Sequence, residues 1–217
     1  MKNFRMHKGK FNYREYIQHM MKGKFFTFEG IDGSGKTTIS RMVYEELAKK
    51  YDAVWTKEPT DGWVGKAVER AVEEKKDAVT TAFLFAADRN EHVKEIKKWI
   101  DEGKIVICDR YADSTISYQA VNLSGVNSPI EWLKNIHTPF YLKPDLTFLF
   151  ILKPEIAIER IKDRELSPFE KASFLEKVQE NYIKLADAEK RFIKLDATES
   201  KEKLKERCLK IIEEEIG

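Results

Sequence analysis

The sequence predicts an α/β fold in which a doubly wound, five-stranded parallel sheet lies between two layers of helices. Five short apolar segments are rich in β-branched and aromatic residues and show little polar alternation, as strands covered on both faces do. Amphipathic helical patterns separate these segments along the chain. A glycine-rich loop stands between the first strand-like segment and the first helical pattern.

The five candidate strands are defined by their apolar runs, and they cover residues 25–29, 53–57, 105–109, 146–152 and 192–195. The helical patterns follow 3.6-residue spacing. They cover residues 38–50, the stripe Val64, Val68, Ala71 and Val72, residues 80–102, the series Phe174, Val178, Tyr182 and Leu185, and the series Leu204, Cys208, Ile211 and Ile212. In such a sheet, ligands bind beyond the carboxyl ends of the strands.

Length and charge limit the classes of protein. A chain of 217 residues with 42% hydrophobic and 35% charged residues suits one globular domain. The net charge of +2 does not indicate nucleic-acid binding, and no apolar run is long enough to span a membrane. Cys108 and Cys208 form no metal-binding pattern, which predicts free thiols in a reducing compartment and so a cytoplasmic protein.

The first 23 residues form a basic segment without the apolar stretch of a signal peptide. We expect either a flexible extension or an upstream start, with Met20 or Met21 as the first residue of the protein. A basic arm for nucleic acid or membrane is the weaker alternative. The domain itself is predicted to cover residues 24–217.

The glycine-rich loop GIDGSGKT, residues 30–37, satisfies the pattern G-x-x-x-x-G-K-[ST]. Its backbone N–H groups and the following helix N-terminus form a cradle for the phosphates of a nucleoside triphosphate. The predicted ATP-binding residues are Gly30, Ile31, Asp32, Gly33, Ser34, Gly35, Lys36, Thr37 and Thr38. Lys36 is suited to the β- and γ-phosphates and the Thr37 hydroxyl to Mg²⁺. The alternative, a glycine turn with an exposed lysine, is disfavoured by the strand before the loop and the helix after it.

Three further clusters lie at predicted strand ends or on the adjoining helix. They are KEPT at residues 57–60, FLFAADR at residues 83–89, and DRY at residues 109–111, which leads to Ser114-Thr115 and Tyr118-Gln119. The segments PDLT at residues 144–147 and DAT at residues 196–198 follow later.

In their order and spacing these motifs resemble the thymidylate kinase family, over roughly residues 24 to 215. The resemblance implies a P-loop kinase that uses ATP and Mg²⁺ to phosphorylate dTMP. It also implies a homodimer, formed through the long helices, and a lid around residues 160–170 that closes on ATP.

The resemblance also assigns roles at the base and sugar of the acceptor. The residue matching Phe85 stacks on thymine, and the one matching Arg89 donates to a thymine carbonyl. Thr115 and Tyr118 align with positions near the base edge and the deoxyribose, and the adjoining Gln119 is assigned to substrate binding with them. The alternatives are helix core for Phe85, a solvated surface position for Arg89, and ordinary polar positions for the others.

Other residues are assigned to the phosphates. Asp109 ends an apolar strand, which suits a Mg²⁺ ligand, a turn cap being the alternative. Arg110 can bridge donor and acceptor phosphates with its guanidinium fork, against the alternative of a surface ion pair. The acid matching Asp32 contacts the acceptor sugar hydroxyl. Lys57 stands where the family often has arginine, so it can neutralise the acceptor phosphate without gripping it bidentately.

Gly33 stands where some family members carry an arginine, and loops without it usually accompany lid arginines. We therefore assign catalytic charge to Arg160 and Arg164, beside Lys36 and Arg110, the alternative being a solvated helix face. No general base is required, because an acceptor phosphate is already ionised. His92 and His137 lie outside the motifs.

Two rival hypotheses remain at the level of sequence. One is a related kinase with another acceptor, such as dUMP or a deoxynucleoside. The other is a P-loop regulatory protein or nucleic-acid-dependent ATPase, which would hydrolyse ATP without an acceptor. The guanine-binding pattern N-K-x-D is absent from the sequence, which disfavours a GTPase switch.

Overall fold

The computed structural model describes residues 23–123, 125–161 and 172–217. Its strands are β1 Lys24–Gly30, β2 Ala53–Lys57, β3 Ile105–Asp109, β4 Leu146–Ile151 and β5 Phe192–Asp196. Within these ranges the strands form one sheet in the order β2-β3-β1-β4-β5, and every pairing is parallel. The predicted fold class is confirmed.

The helices lie on both faces of the sheet. They are α1 Lys36–Leu47, α2 Trp63–Glu73, α3 Ala78–Asp101, α4 Ala112–Asn122, α5 Pro129–His137, α6 Pro154–Glu159, α7 Ala172–Ala188 and α8 Lys201–Ile216. Phe25 packs with Val93 and Ile96 of α3, whereas Phe26 joins the cluster that contains Ile39 of α1. Since successive side chains of a strand point to opposite faces, the fold has three layers.

Helices α4, α5 and α6 were not predicted, and α4 shows why. Its buried face carries Asp113, Ser114, Thr115, Ser117 and Gln119 beside Ile116, so the apolar periodicity that marks a core helix is absent. Helices α5 and α6 span only nine and six residues, too few for a clear pattern, and each begins with proline.

The register of the sheet brings the predicted motifs to one edge. Asp109 at the end of β3 stands opposite Phe28 of β1 and opposite Lys57 of β2. The loops that follow these three strands therefore begin at nearly the same level. Gly30, which ends β1, pairs with Phe150 of β4.

Candidate active site

The glycine-rich loop turns directly from β1 into α1. Gly33 and Gly35 have φ angles of 80° and 88°, in the left-handed region that favours glycine. Gly35 is the residue before α1, so the free N–H groups of the first helical turn face the loop. This geometry is suited to an anion such as a phosphate group.

Lys36 lies buried at the base of the loop. Its Nζ donates a hydrogen bond to the Ile31 carbonyl over 3.3 Å and lies 3.8 Å from Asp32 Oδ1. Burial, and then the positive charge of Arg110, lower the pKa of Lys36 to about 8. A bound anion would favour its charged form.

The loop forms one wall of a cavity of about 550 Å³, here called the loop cavity. It is lined by Asp32, Gly33, Ser34, Gly35, Lys36, Thr37, Thr38, Ile39, Arg160, Ile161, Ala197, Glu199, Ser200, Lys201 and Leu204. Seven of the predicted ATP-binding residues, 32 to 38, thus lie together with Arg160 and with Ala197 of the DAT segment.

Arg160, at the end of α6, links two walls of the loop cavity. Its Nη2 donates to the Ala197 carbonyl over 3.0 Å, and its Nη1 lies 3.5 Å from the Gly33 carbonyl. Arg164, nearly all of the predicted lid at 160–170 and all but the last residue of the predicted extension at 1–23 lie outside the described residues.

A second cavity, of about 400 Å³, opens between α2, α3 and α4 and is here called the helix cavity. Its lining includes seven predicted acceptor-site residues, Asp32, Phe85, Arg89, Arg110, Thr115, Tyr118 and Gln119, together with Glu58, Pro59, Val68, Glu69, Val72, Glu73, Tyr111 and Ser114. Lys57 is not in this lining. Its Nζ lies 2.9 Å from Asp61 Oδ1, and its side chain is 37% exposed.

Asp32 lines both cavities and is paired with Arg110. Arg110 has a φ of 66° and donates from Nη1 to Ser114 Oγ over 3.1 Å. The Tyr118 hydroxyl donates to Asp32 Oδ2 over 3.1 Å and accepts from the Asp32 N–H over 3.0 Å. Burial would raise the pKa of Asp32, but Arg110 and then Lys36 outweigh it and lower that pKa. The place where the two cavities meet, here called the junction, therefore carries the ionised carboxylate of Asp32 between the cations of Lys36 and Arg110.

Glu29 is a buried acid that sequence reasoning missed. Its carboxylate accepts from the Tyr111 N–H over 2.8 Å, from the Ser114 hydroxyl over 2.5 Å and from the Tyr182 hydroxyl over 3.0 Å. Burial, and then the negative charge of Asp113, raise the pKa of Glu29 to about 7. Its position at the end of an apolar strand was the available signal. Because Glu29 accepts a hydrogen bond from the backbone N–H of Tyr111, the residue after Arg110, it helps to fix the backbone conformation at Arg110.

Arg89 is buried rather than solvated. Its guanidinium pairs with Glu58 and donates to Thr115 Oγ1 over 2.9 Å. Although His92 and His137 lie outside the sequence motifs, His92 contacts Glu58 and His137 contacts Arg89. Sequence could not reveal this, because α5, which carries His137, joins the site only through tertiary packing.

Asp109 has an unpartnered carboxylate oxygen beside the loop. The residue is 6% exposed, and its Oδ1 has no hydrogen-bond partner among the described residues, as is also true of Ser34 Oγ. Such an oxygen suits a cation or a cation-bound water. No cluster of three or more His, Cys, Asp or Glu that could hold a metal occurs in the described ranges. A cation here would therefore need additional ligands from a bound phosphate.

Residues 28–208 match the family described as Thymidylate kinase. The chain belongs to the thymidylate kinase family. Similar proteins named "Probable thymidylate kinase" come from Methanosarcina mazei (43% identity, covering 90% of this chain and 98% of the relative), Methanosarcina barkeri (44%, 88% and 97%) and Methanoculleus marisnigri (46%, 82% and 88%). The predicted resemblance to thymidylate kinases and the predicted enzyme class, a dTMP kinase, are confirmed.

Within the ranges that the structure of this thymidylate kinase family member describes, every helix is too short or too polar to cross a lipid bilayer.

Proposed function

We propose that this chain transfers the γ-phosphoryl group of ATP to dTMP, with the triphosphate in the loop cavity and the monophosphate in the helix cavity. The observation that carries this proposal is the meeting of the two cavities at Asp32, beside Lys36 and Arg110. Two substrates seated on either side of this junction would have their phosphates among the same cations, as in-line transfer requires.

On the donor side, the loop backbone from Gly30 to Thr38 would hold the phosphates of ATP, with Lys36 against the β- and γ-phosphates. The residues present fit Mg²⁺, because the unpartnered Asp109 oxygen and the exposed Thr37 hydroxyl are oxygen ligands of the kind it prefers. When bound, Mg²⁺ supplies charge neutralisation at the triphosphate. Arg160, and in our proposal Arg164, add positive charge on the lid side.

On the acceptor side, Phe85 would stack on the base and Arg89 would donate to a base carbonyl. Thr115 and Gln119 would border the base, while Tyr118 and Asp32 would contact the sugar. Arg110 would bind the acceptor phosphate and the transferring group with its two Nη atoms.

Lys57 remains a candidate for charge neutralisation at the acceptor phosphate, although it does not line the helix cavity. Its ion pair with Asp61 is exposed, and such pairs contribute about 0–1 kcal/mol. Exchanging Asp61 for a phosphate would therefore cost little.

An acceptor screen tests the function. ADP release is measured with dTMP, dUMP, dCMP, thymidine and dAMP, each at several concentrations, and with DNA in place of an acceptor. We expect the highest kcat/KM with dTMP. Faster turnover of another acceptor would establish the related-kinase alternative, and DNA-stimulated ATP hydrolysis without an acceptor would establish the ATPase alternative.

We also propose a cytoplasmic homodimer that pairs through α3. The exposed side of this helix carries Val79 and Phe83, which are 38% and 53% exposed, and Phe83 packs edge-to-face on Trp132 with ring centroids 5.7 Å apart. Analytical ultracentrifugation of the wild type should give a mass twice that of the 25.4 kDa chain, and Phe83→Glu should lower the measured mass to that of one chain. A wild-type chain that sediments as a monomer contradicts the pairing, and cell fractionation tests the location.

A further inference from the structure

Arg89 and Glu58 form a nearly inaccessible ion pair in the wall of the helix cavity. Their side chains are 1% and 3% exposed, and both residues belong to the cavity lining. A guanidinium has five N–H donors on a long flexible side chain, so one ion pair does not determine its orientation. The surrounding contacts must do so.

His137, from α5, contacts one edge of the guanidinium. Arg89 Nη1 lies 3.1 Å from Nε2 of His137 and 3.3 Å from Nδ1. Burial and the positive charge of Arg89 lower the pKa of His137 to about 2. The ring is therefore neutral near physiological pH, and one of its nitrogens accepts a hydrogen bond from Arg89.

His92, from α3, contacts the partner of Arg89. Its Nδ1 lies 2.9 Å from Glu58 Oε1, and its Nε2 lies 2.7 Å from Thr56 Oγ1. An ionised carboxylate can only accept, so Nδ1 carries the hydrogen. With Oε1 held by His92, Glu58 presents Oε2 to the guanidinium.

We propose that His137 and His92 are positioning residues for the base of the acceptor nucleotide. His137 orients Arg89 directly, and His92 orients it through Glu58. This inference rests on the proposed function, because it takes the helix cavity as the dTMP site. Neither histidine is among the described residues that line the cavity, so both act through Arg89.

The chemical consequence concerns the 4-position of the pyrimidine. A carbonyl there accepts a hydrogen bond from a fixed guanidinium, whereas the amino group of cytosine presents a donor to a donor. A guanidinium that can rotate away no longer attracts the carbonyl group of thymine and no longer repels the amino group of cytosine. Loosening Arg89 should therefore weaken dTMP binding and reduce the preference for dTMP over dCMP.

The test compares His137→Leu, His137→Phe and His92→Leu with the wild type. Each variant removes a contact to a charged partner, so the KM for dTMP should rise roughly 10- to 100-fold. The KM for ATP and kcat at saturating dTMP should stay within about threefold, because only uniform acceptor binding is lost. The dTMP/dCMP ratio of kcat/KM should fall. Either His137 variant suffices if the other does not fold.

Conservative variants provide the rescue. His137→Gln places an amide oxygen near the Nε2 position, and His92→Asn places an amide N–H near the Nδ1 position. Both should restore most of the affinity for dTMP. Leu133→Ala is the matched control, because Leu133 is a fully buried residue on α5 and lies outside the cavity lining. It should lower the unfolding temperature without raising the KM for dTMP.

Wild-type KM values in the Leu and Phe variants would overturn the inference. Parallel changes in kcat and in the KM values for both ATP and dTMP would also overturn it, because they indicate a merely structural role. The same conclusion would follow if Leu133→Ala raised the KM for dTMP as much as the histidine variants do. The wild-type acceptor screen separates the two proposals. If the wild type does not use dTMP, the proposed function fails; if it does and the variants are insensitive, only this inference fails.

Discussion

Replacing Arg110 by alanine should lower kcat by a factor of about 10² to 10³ while the affinity for ATP changes little. Arg110 lines the helix cavity and not the loop cavity, so ATP would lose few contacts. Its pairing with Asp32 places its charge at the junction of the two cavities. Charge positioned there stabilises the transferring group in the transition state.

Two variants sharpen this test. Arg110→Lys keeps the charge but loses the planar fork, so its kcat should fall between the wild-type and alanine values. Arg70→Ala is the matched control, because the Arg70 guanidinium is exposed and its Nε lies 2.6 Å from Glu74 on the same helix. We expect kcat from steady-state assays to be normal in that control. Near-normal turnover in Arg110→Ala would remove Arg110 from the proposed mechanism.

The architecture and the phosphate loop could be predicted because their signals are local. The run FFTFE, the loop GIDGSGKT and the helix after it are contiguous, and each has its own pattern of apolar or glycine residues. The parallel direction of the strands then follows from the alternation of strands and helices along the chain. Seven residues of the helix-cavity lining were assigned to the acceptor site by resemblance, since individual aromatic and polar helix residues have no distinctive pattern.

The part of the site that sequence did not reveal depends on tertiary contacts. Lys57 was singled out in KEPT, yet its neighbour Glu58 is the residue in the cavity wall, because adjacent side chains at a strand end point in different directions. Glu29 joins Tyr182, which lies far along the chain in α7, through a hydrogen bond that no spacing predicts. His137 reaches Arg89 from a helix too short to be recognised.

Replacing Gly33 by alanine should abolish ATP binding and destabilise the protein. A Cβ at this position would lie 2.2 Å from the Ala157 carbonyl oxygen and 2.8 Å from its carbon. Both are backbone atoms of α6, so no side-chain rotation relieves the clash, and the φ of 80° adds strain. The loop must therefore move away from α6, which disrupts the phosphate cradle and the contact of Arg160 with the Gly33 carbonyl.

Gly35→Ala separates strain from clash in the nucleotide-free protein. Gly35 has a similar φ of 88°, but a Cβ there would meet nothing within 4 Å. This variant should lose only the left-handed backbone preference, about 1 to 2 kcal/mol, whereas Gly33→Ala should lose clearly more in urea unfolding. Equal losses would contradict the contact with α6. Titration calorimetry should show no binding of ATP to Gly33→Ala. The close contact of Gly33 with α6 also leaves no space for an arginine side chain at position 33, which is consistent with assigning the lid-side positive charge to Arg160 instead.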